Sequence, residues 1–145
     1  MKTVFYKILF LCFLLLEFSC EEEITDCPNS MCLVAGEWRL TEVYIDEQKD
    51  PADLSLYRLI LNMPINPEDI TSAFSRVQAN GTADNGSWSL QNNDEVLRLI
   101  PEDNSILTED WIIKSMTPRK LVLIITRDTS IKNGPGKIEM VLEPF

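Results

Sequence analysis

The chain has 145 residues, with 13 basic against 23 acidic side chains for a formal net charge of −10, and it contains no histidine. That length is enough for one domain with its own core. Strong acidity without a basic stripe argues against nucleic acid as a partner and against docking of the folded part on anionic lipid. The lack of histidine removes the usual general base and the commonest metal ligand.

At the start of the chain, Lys2 and Lys7 form a basic head and residues 8–16 read ILFLCFLLL, the layout of a secretory signal. A spanning helix needs about 20 predominantly apolar residues, whereas this stretch is interrupted by Lys7 and followed by acid. Ser19 is small and suits cleavage just before Cys20, and Glu21, Glu22 and Glu23 come next. Loss of residues 1–19 removes Lys2, Lys7 and Glu17 and leaves the remainder more acidic still. Cys12 leaves with the signal, so Cys27 and Cys32 in "DCPNSMC" remain beside Cys20. In an extracytoplasmic chain an even pair this close predicts a small disulfide loop, with Pro28 and Asn29 favouring the turn. A metal site at this spacing would need a second pair of ligands, which the chain does not offer.

From residue 33 onward the pattern is β. "EWRLTEVYI" at 37–45 is rich in aromatic and β-branched residues, and "LYRLILNM" at 56–63 follows a loop with room for one helical turn. Asn66, Pro67 and Asp69 predict a short helix or turn, which runs into a third strand at "FSRVQA". "SWSLQ" at 87–91 and "EVLRLI" at 95–100 form a hairpin across Asn92, Asn93 and Asp94. "LTEDWIIKSM" at 107–116, "KLVLIITR" at 120–127 and "KIEMVLEP" at 137–144 complete the set, punctuated by Pro118 and by "KNGPG" at 132–136. Alternation puts Trp88 with Leu90, Leu97 with Leu99, Leu121 with Leu123, and Met140 with Leu142 on common faces. "WIIK" and "LVLII" are apolar on both faces, which predicts a bulge or a covering element. Eight strands with short connections and no long amphipathic helix predict an all-β, eight-stranded antiparallel up-and-down barrel, a closure that hides every sheet edge.

Two resemblances bear on these readings. Ser19-Cys20 after an apolar segment resembles the processing box of bacterial lipoprotein precursors, which implies that Cys20 carries fatty acid of the palmitate type and anchors the chain to a membrane. The run Glu21-Glu22-Glu23 is similar to the export signal of Bacteroidetes-type lipoproteins, which implies the outer membrane and its cell surface, with the periplasmic face as the alternative. "LVAGEWRLTEVYID" at 33–46, with Gly36 and Trp38, "NGSWSL" at 85–90 and "WIIKSMTPRKLVLI" at 111–124 resemble the small lipocalin-like domains of bacterial lipoproteins. The division implied is a signal peptide at 1–19, an acidic and disulfide-looped linker at 20–32, and a lipocalin-like barrel at 33–145. Eukaryotic-type lipocalins place an arginine late in the barrel to pack on the opening tryptophan; the final strand here departs from that and offers only Lys137, which leaves Arg119 or Arg127 as substitutes.

The acidic pairs Asp46-Glu47, Asp94-Glu95, Glu102-Asp103 and Glu109-Asp110 flank turns, and neighbours on a strand face opposite ways, so solvated charge outweighs a two-carboxylate hydrolase. "ADNGS" lacks the spacing of a calcium loop. The Asn-Gly steps at 80–81 and 85–86 predict turns or bulges of positive φ. Trp38, Trp88 and Trp111 are either core or the lining of a ligand cavity, and in the second case Leu90, Leu97 and Leu99 share that lining. The sequence is therefore read as a non-enzymatic, lipid-anchored envelope binding module for a small apolar ligand, with no cofactor and no metal. The alternative is an accessory protein that binds another protein through its loops or outer face.

Overall fold

The computed structural model describes residues 30–126 and 136–145. One short helix, α1 (Met31–Val34), precedes nine strands: β1 (Gly36–Ile45), β2 (Gln48–Lys49), β3 (Arg58–Leu61), β4 (Ser72–Val77), β5 (Ala83–Gln91), β6 (Val96–Pro101), β7 (Glu109–Thr117), β8 (Lys120–Thr126) and β9 (Lys137–Pro144). The two-residue β2 only folds back on the end of β1, pairing Tyr44 with Lys49. The other eight are antiparallel neighbours in the order β1-β3-β4-β5-β6-β7-β8-β9, and β9 returns to β1 through pairs such as Trp38 with Pro144 and Ile45 with Ile138. The protein is thus a closed, eight-stranded antiparallel barrel, as its pattern predicts.

Side-chain alternation gives this sheet one apolar face, and closure turns that face inward. Cross-strand rows such as Leu90, Leu97 and Trp111 follow from the registers of β5, β6 and β7. Leu59, Leu97, Leu121, Leu123 and Leu142 are wholly buried. Two register shifts keep the inward set in phase. Between Leu40 and Glu42 of β1 the extra residue Thr41 lets Val43 face Met140, and its hydroxyl donates to the Val141 carbonyl at 3.1 Å. Between Ile113 and Ser115 of β7 a second shift brings Met116 opposite Leu121, which explains the doubly apolar "WIIK". On β8 the second apolar face belongs to Val122, which lies with Val141 in an outer groove lined by the long side chains of Glu42, Tyr44, Lys114, Lys120 and Glu139.

Local departures from the predicted pattern have physical causes. Residues 66–69 form a turn closed by Asp69 N–H on the Asn66 carbonyl at 3.0 Å, rather than a helix. β5 begins at Ala83, so the step Asn85-Gly86 is strand rather than turn. Gly86 is needed there for space: a Cβ would stand 2.1 Å from the Ile100 carbonyl oxygen and 2.7 Å from the Phe74 ring, so a side chain would collide with β6. Gly81 does take the expected positive φ, at 83°, in the β4–β5 turn. Asn92, Asn93 and Asp94 all have positive φ in the β5–β6 turn, a conformation Asn and Asp tolerate.

The predicted linker boundary at residue 33 falls inside α1. Met31 and Val34 are buried in the same core cluster as the strands, so the packed unit reaches back to residue 31.

Candidate functional site

The ends of the barrel differ in chemistry. At one end α1 closes the lumen. The Trp38 indole donates to the Val34 carbonyl at 2.8 Å, the Ala35 amide donates to Met31 at 2.7 Å, and the Ser30 hydroxyl donates to Asp94 in the β5–β6 turn. Gly36, with φ of 152°, makes the bend that brings α1 over Trp38. Of the two arginine candidates, Arg119 is an exposed residue of the β7–β8 turn, and Arg127 lies outside the described residues. The Val34 carbonyl at the end of α1 holds the Trp38 indole.

Beside α1 lies an open cleft of about 400 Å³ between the helix, the β3–β4 loop and the β5–β6 turn. Its apolar lining is Met31, Pro67, Ile70 and Leu90, and its polar rim is Ser30, Glu68, Asp69 and Asp94. The volume falls in the range of small-molecule sites, roughly 300–1,000 Å³. A second cleft of about 220 Å³ on the other flank of α1 is lined by Cys32, Leu33, Trp38, Pro118 and Pro144, among others. Cys32 is not a free thiol; Cys20 and Cys27 lie outside the described residues.

Toward the opposite end the lumen holds a charged cluster. Arg76 of β4 is 4% exposed, and Asp84 faces it directly across the β4–β5 register. The guanidinium donates from Nε to Asp84 Oδ1 at 3.0 Å and from Nη2 to Asp84 Oδ2 at 2.7 Å, a two-pronged pair. It also crosses the lumen to β7, donating from Nη1 to Glu109 Oε2 at 2.8 Å. The Trp111 indole donates to the same Glu109 oxygen at 2.8 Å. Burial works against the charge on Arg76, but the hydrogen bonds to Asp84 and Glu109 outweigh it and hold the guanidinium protonated, its pKa raised above the usual value. Tyr57, just before β3, is buried beside this cluster, and burial pushes its phenol up to about 12. No buried side-chain nitrogen or oxygen among the described residues lacks a hydrogen bond.

The six residues predicted to line a cavity separate into two environments. Trp38, Trp88, Leu97, Leu99 and Trp111 are each at most 5% exposed and belong to one packed cluster. The Trp88 indole is satisfied by the Asn62 carbonyl at 3.1 Å, as those of Trp38 and Trp111 are by their own partners. Leu90 is half-buried and opens on the larger cleft, while Trp38 also borders the smaller one. Glu109 and Asp110 point to opposite faces, Glu109 inward to Arg76 and Asp110 outward to Arg98 at 2.7 Å. Among the described residues no group of three or more Cys, Asp, Glu or His is placed to hold a metal ion.

Arg76, Asp84, Tyr57 and Met31 are absent from the residues singled out by sequence. The signal for the first two was present: Arg76 falls in phase with Phe74, and Asp84 in phase with Gly86, Trp88 and Leu90. A charge on the apolar phase of a strand must find a partner across the lumen.

A scan against family models gave no match, and neither did a search of curated proteins. Among solved structures, the chain is similar to a lipocalin-like protein from Bacteroides uniformis ATCC 8492, a crystal structure at 1.79 Å resolution. The TM-score is 0.50 at 14% identity, over 78% of this chain and 99% of that one. At that identity the likeness is one of fold, and it agrees with the closed eight-stranded barrel built above from register and burial.

Proposed function

We propose that the protein is a non-enzymatic, lipid-anchored binding module of the cell envelope that holds a small apolar molecule. The observation that carries the binding half is the cleft of about 400 Å³ beside α1, whose apolar lining of Met31, Ile70 and Leu90 sits within a polar rim. Small-ligand sites combine an apolar floor with a few polar groups in this way, often in the mouths of barrels. Leu90 is thus the ligand-contacting member of the six predicted residues, and Trp38 reports from the smaller cleft. Trp88, Leu97, Leu99 and Trp111 supply the rigid wall behind Leu90.

An apolar fluorescent probe titrated into the purified protein should bind at micromolar levels. Leu90→Trp, which fills the cleft, should abolish that binding and leave the fold intact. Leu97→Trp overpacks the core instead and should destabilise by about 1–3 kcal/mol. Probe binding unaffected by Leu90→Trp would place the ligand elsewhere, and no binding at all would favour contact with another protein. Ile100 and Ile112, 43% and 50% exposed on the outer wall of β6 and β7, are the observation behind that second reading.

The anchoring half rests on the basic head, the apolar segment and Ser19-Cys20, and the surface location on Glu21-Glu22-Glu23. The wild-type protein should take up a fatty-acid label and enter a detergent-rich phase, and Cys20→Ala should do neither; equal labelling would remove the assignment. Pairing of Cys27 with Cys32 is supported by their spacing and by the engaged state of Cys32. The absence of histidine and the full saturation of Arg76 by carboxylates support the non-enzymatic reading.

A further inference from the structure

We infer that the β3–β4 loop, residues 62–71, is a membrane-contacting loop whose Met63 and Ile65 enter the bilayer that carries the Cys20 anchor, with Ile70 left to the cleft beside α1. This rests on the lipid-anchor reading and adds to it an orientation for the barrel.

Three observations combine. First, Met63, Ile65 and Ile70 are 60%, 94% and 77% exposed, a concentration of large apolar side chains that a single loop rarely offers to water. Leu33 and Phe145 are exposed at the same end of the barrel, whereas the opposite end offers Leu56 and Leu107. Second, the loop shares its end with α1. The sheet pairs Gly36, the first residue of β1, with Leu61, the last residue of β3, so the chain arriving from Cys20 and the β3–β4 loop lie together. Seven residue steps lead from Cys20 to Cys27, roughly 25 Å when extended, and a Cys27–Cys32 bridge then holds the chain within about 6 Å of α1. The ten residues of β1 span about 33 Å along the strand, or roughly 25 Å of barrel height at the tilt a closed barrel needs. The end near α1 therefore meets the membrane with the tether slack, whereas the far end meets it only with most of the tether drawn out.

Third, residues 62–71 contain Glu68 and Asp69 and no lysine or arginine. The lipid that fits is zwitterionic, such as phosphatidylcholine or phosphatidylethanolamine, since an anionic surface would repel these carboxylates. The loop is also braced for insertion: Asp69 accepts from the Asn66 backbone and side-chain amides at 3.2 and 3.1 Å, and the Ser72 hydroxyl donates to the Met63 carbonyl at 3.2 Å. These bonds occupy polar groups that would otherwise need water at the interface.

The test uses the acylated full protein with Ile65→Cys bearing an environment-sensitive fluorophore, reconstituted into phosphatidylcholine vesicles that contain a spin-labelled lipid. Labelled unsubstituted protein supplies the background. The fluorophore at position 65 should shift to the blue and be quenched several-fold more strongly than one placed by Leu107→Cys at the opposite end. Replacing part of the phosphatidylcholine by phosphatidylglycerol should reduce the quenching. Equal quenching at both positions in protein shown by fatty-acid label to be acylated would overturn the membrane loop and leave the anchor standing. Absence of the fatty-acid label would overturn the anchor reading, and this inference with it.

Discussion

Arg76 is the cation that pairs both Asp84 and Glu109 inside the lumen, so its loss strands two carboxylates. Arg76→Met keeps the unbranched apolar stem of the side chain and leaves Asp84, with a side chain only 2% exposed, facing no cation. Breaking a buried ion pair from one side costs about 3–5 kcal/mol. Glu109, at 23% side-chain exposure, can recover some hydration, which places the expected loss near the lower end, about 3 kcal/mol. With a urea dependence of about 1–3 kcal/mol per molar, the unfolding midpoint should fall by roughly 1.5 M, read by tryptophan emission. Asp84→Asn should destabilise the wild type but be neutral or stabilising in the Arg76→Met background, where it removes the stranded charge. A coupling between the two sites of about 1–3 kcal/mol follows. A loss under about 1 kcal/mol for Arg76→Met, or the same cost for Asp84→Asn in both backgrounds, would show that water reaches the cluster and would refute the reasoning.

Three further outcomes follow from the same structure. Because burial raises the Tyr57 phenol from 10.0 to about 12, the folded state holds that proton more tightly than the unfolded chain; stability is complete below pH 10 and falls as pH rises toward 12 by about 2–3 kcal/mol. Tyr57→Phe should flatten that limb of the stability profile, and an unchanged limb would place the phenol in water. Gly86→Ala should destabilise by about 1–3 kcal/mol or more, since its Cβ meets the Ile100 backbone oxygen rather than a flexible side chain; thermal unfolding equal to wild type would mean that β5 and β6 separate readily. Met31→Ala should cost about 2–5 kcal/mol in chemical denaturation, whereas a residue of a mere linker would cost almost nothing.

The architecture was legible because period-two alternation and turn residues are local signals, and an eight-stranded closed sheet follows once no helix is available to cover a face. Segments 37–45, 95–100 and 137–144 match β1, β6 and β9 to within a residue. What the sequence hid depends on contacts distant along the chain. Arg76 and Asp84 fall on the apolar phase of their strands, but only the β4–β5 register shows that they face one another, and Glu109 joins them only across the lumen. Gly86 resembles a turn glycine because Asn-Gly is a turn signal, yet its necessity comes from Phe74 and Ile100 on two neighbouring strands. Met31 falls in the linker by sequence because a four-residue helix has too little periodicity to reveal a buried face.

The partnership of β1 with β9 also governs how the molecule can come into being. Trp38 pairs with Pro144 and Leu40 with Leu142, so the seam joins segments about as far apart in sequence as this domain allows. Such a contact bears the full loop-closure entropy and cannot form early. A chain emerging in order can assemble the β3-to-β8 meander hairpin by hairpin, but it keeps two open edges until β9 arrives. Folding to the sealed form should therefore be slow for a chain of this size, and the unsealed meander, with its edges bare, is the species a chaperone would have to guard.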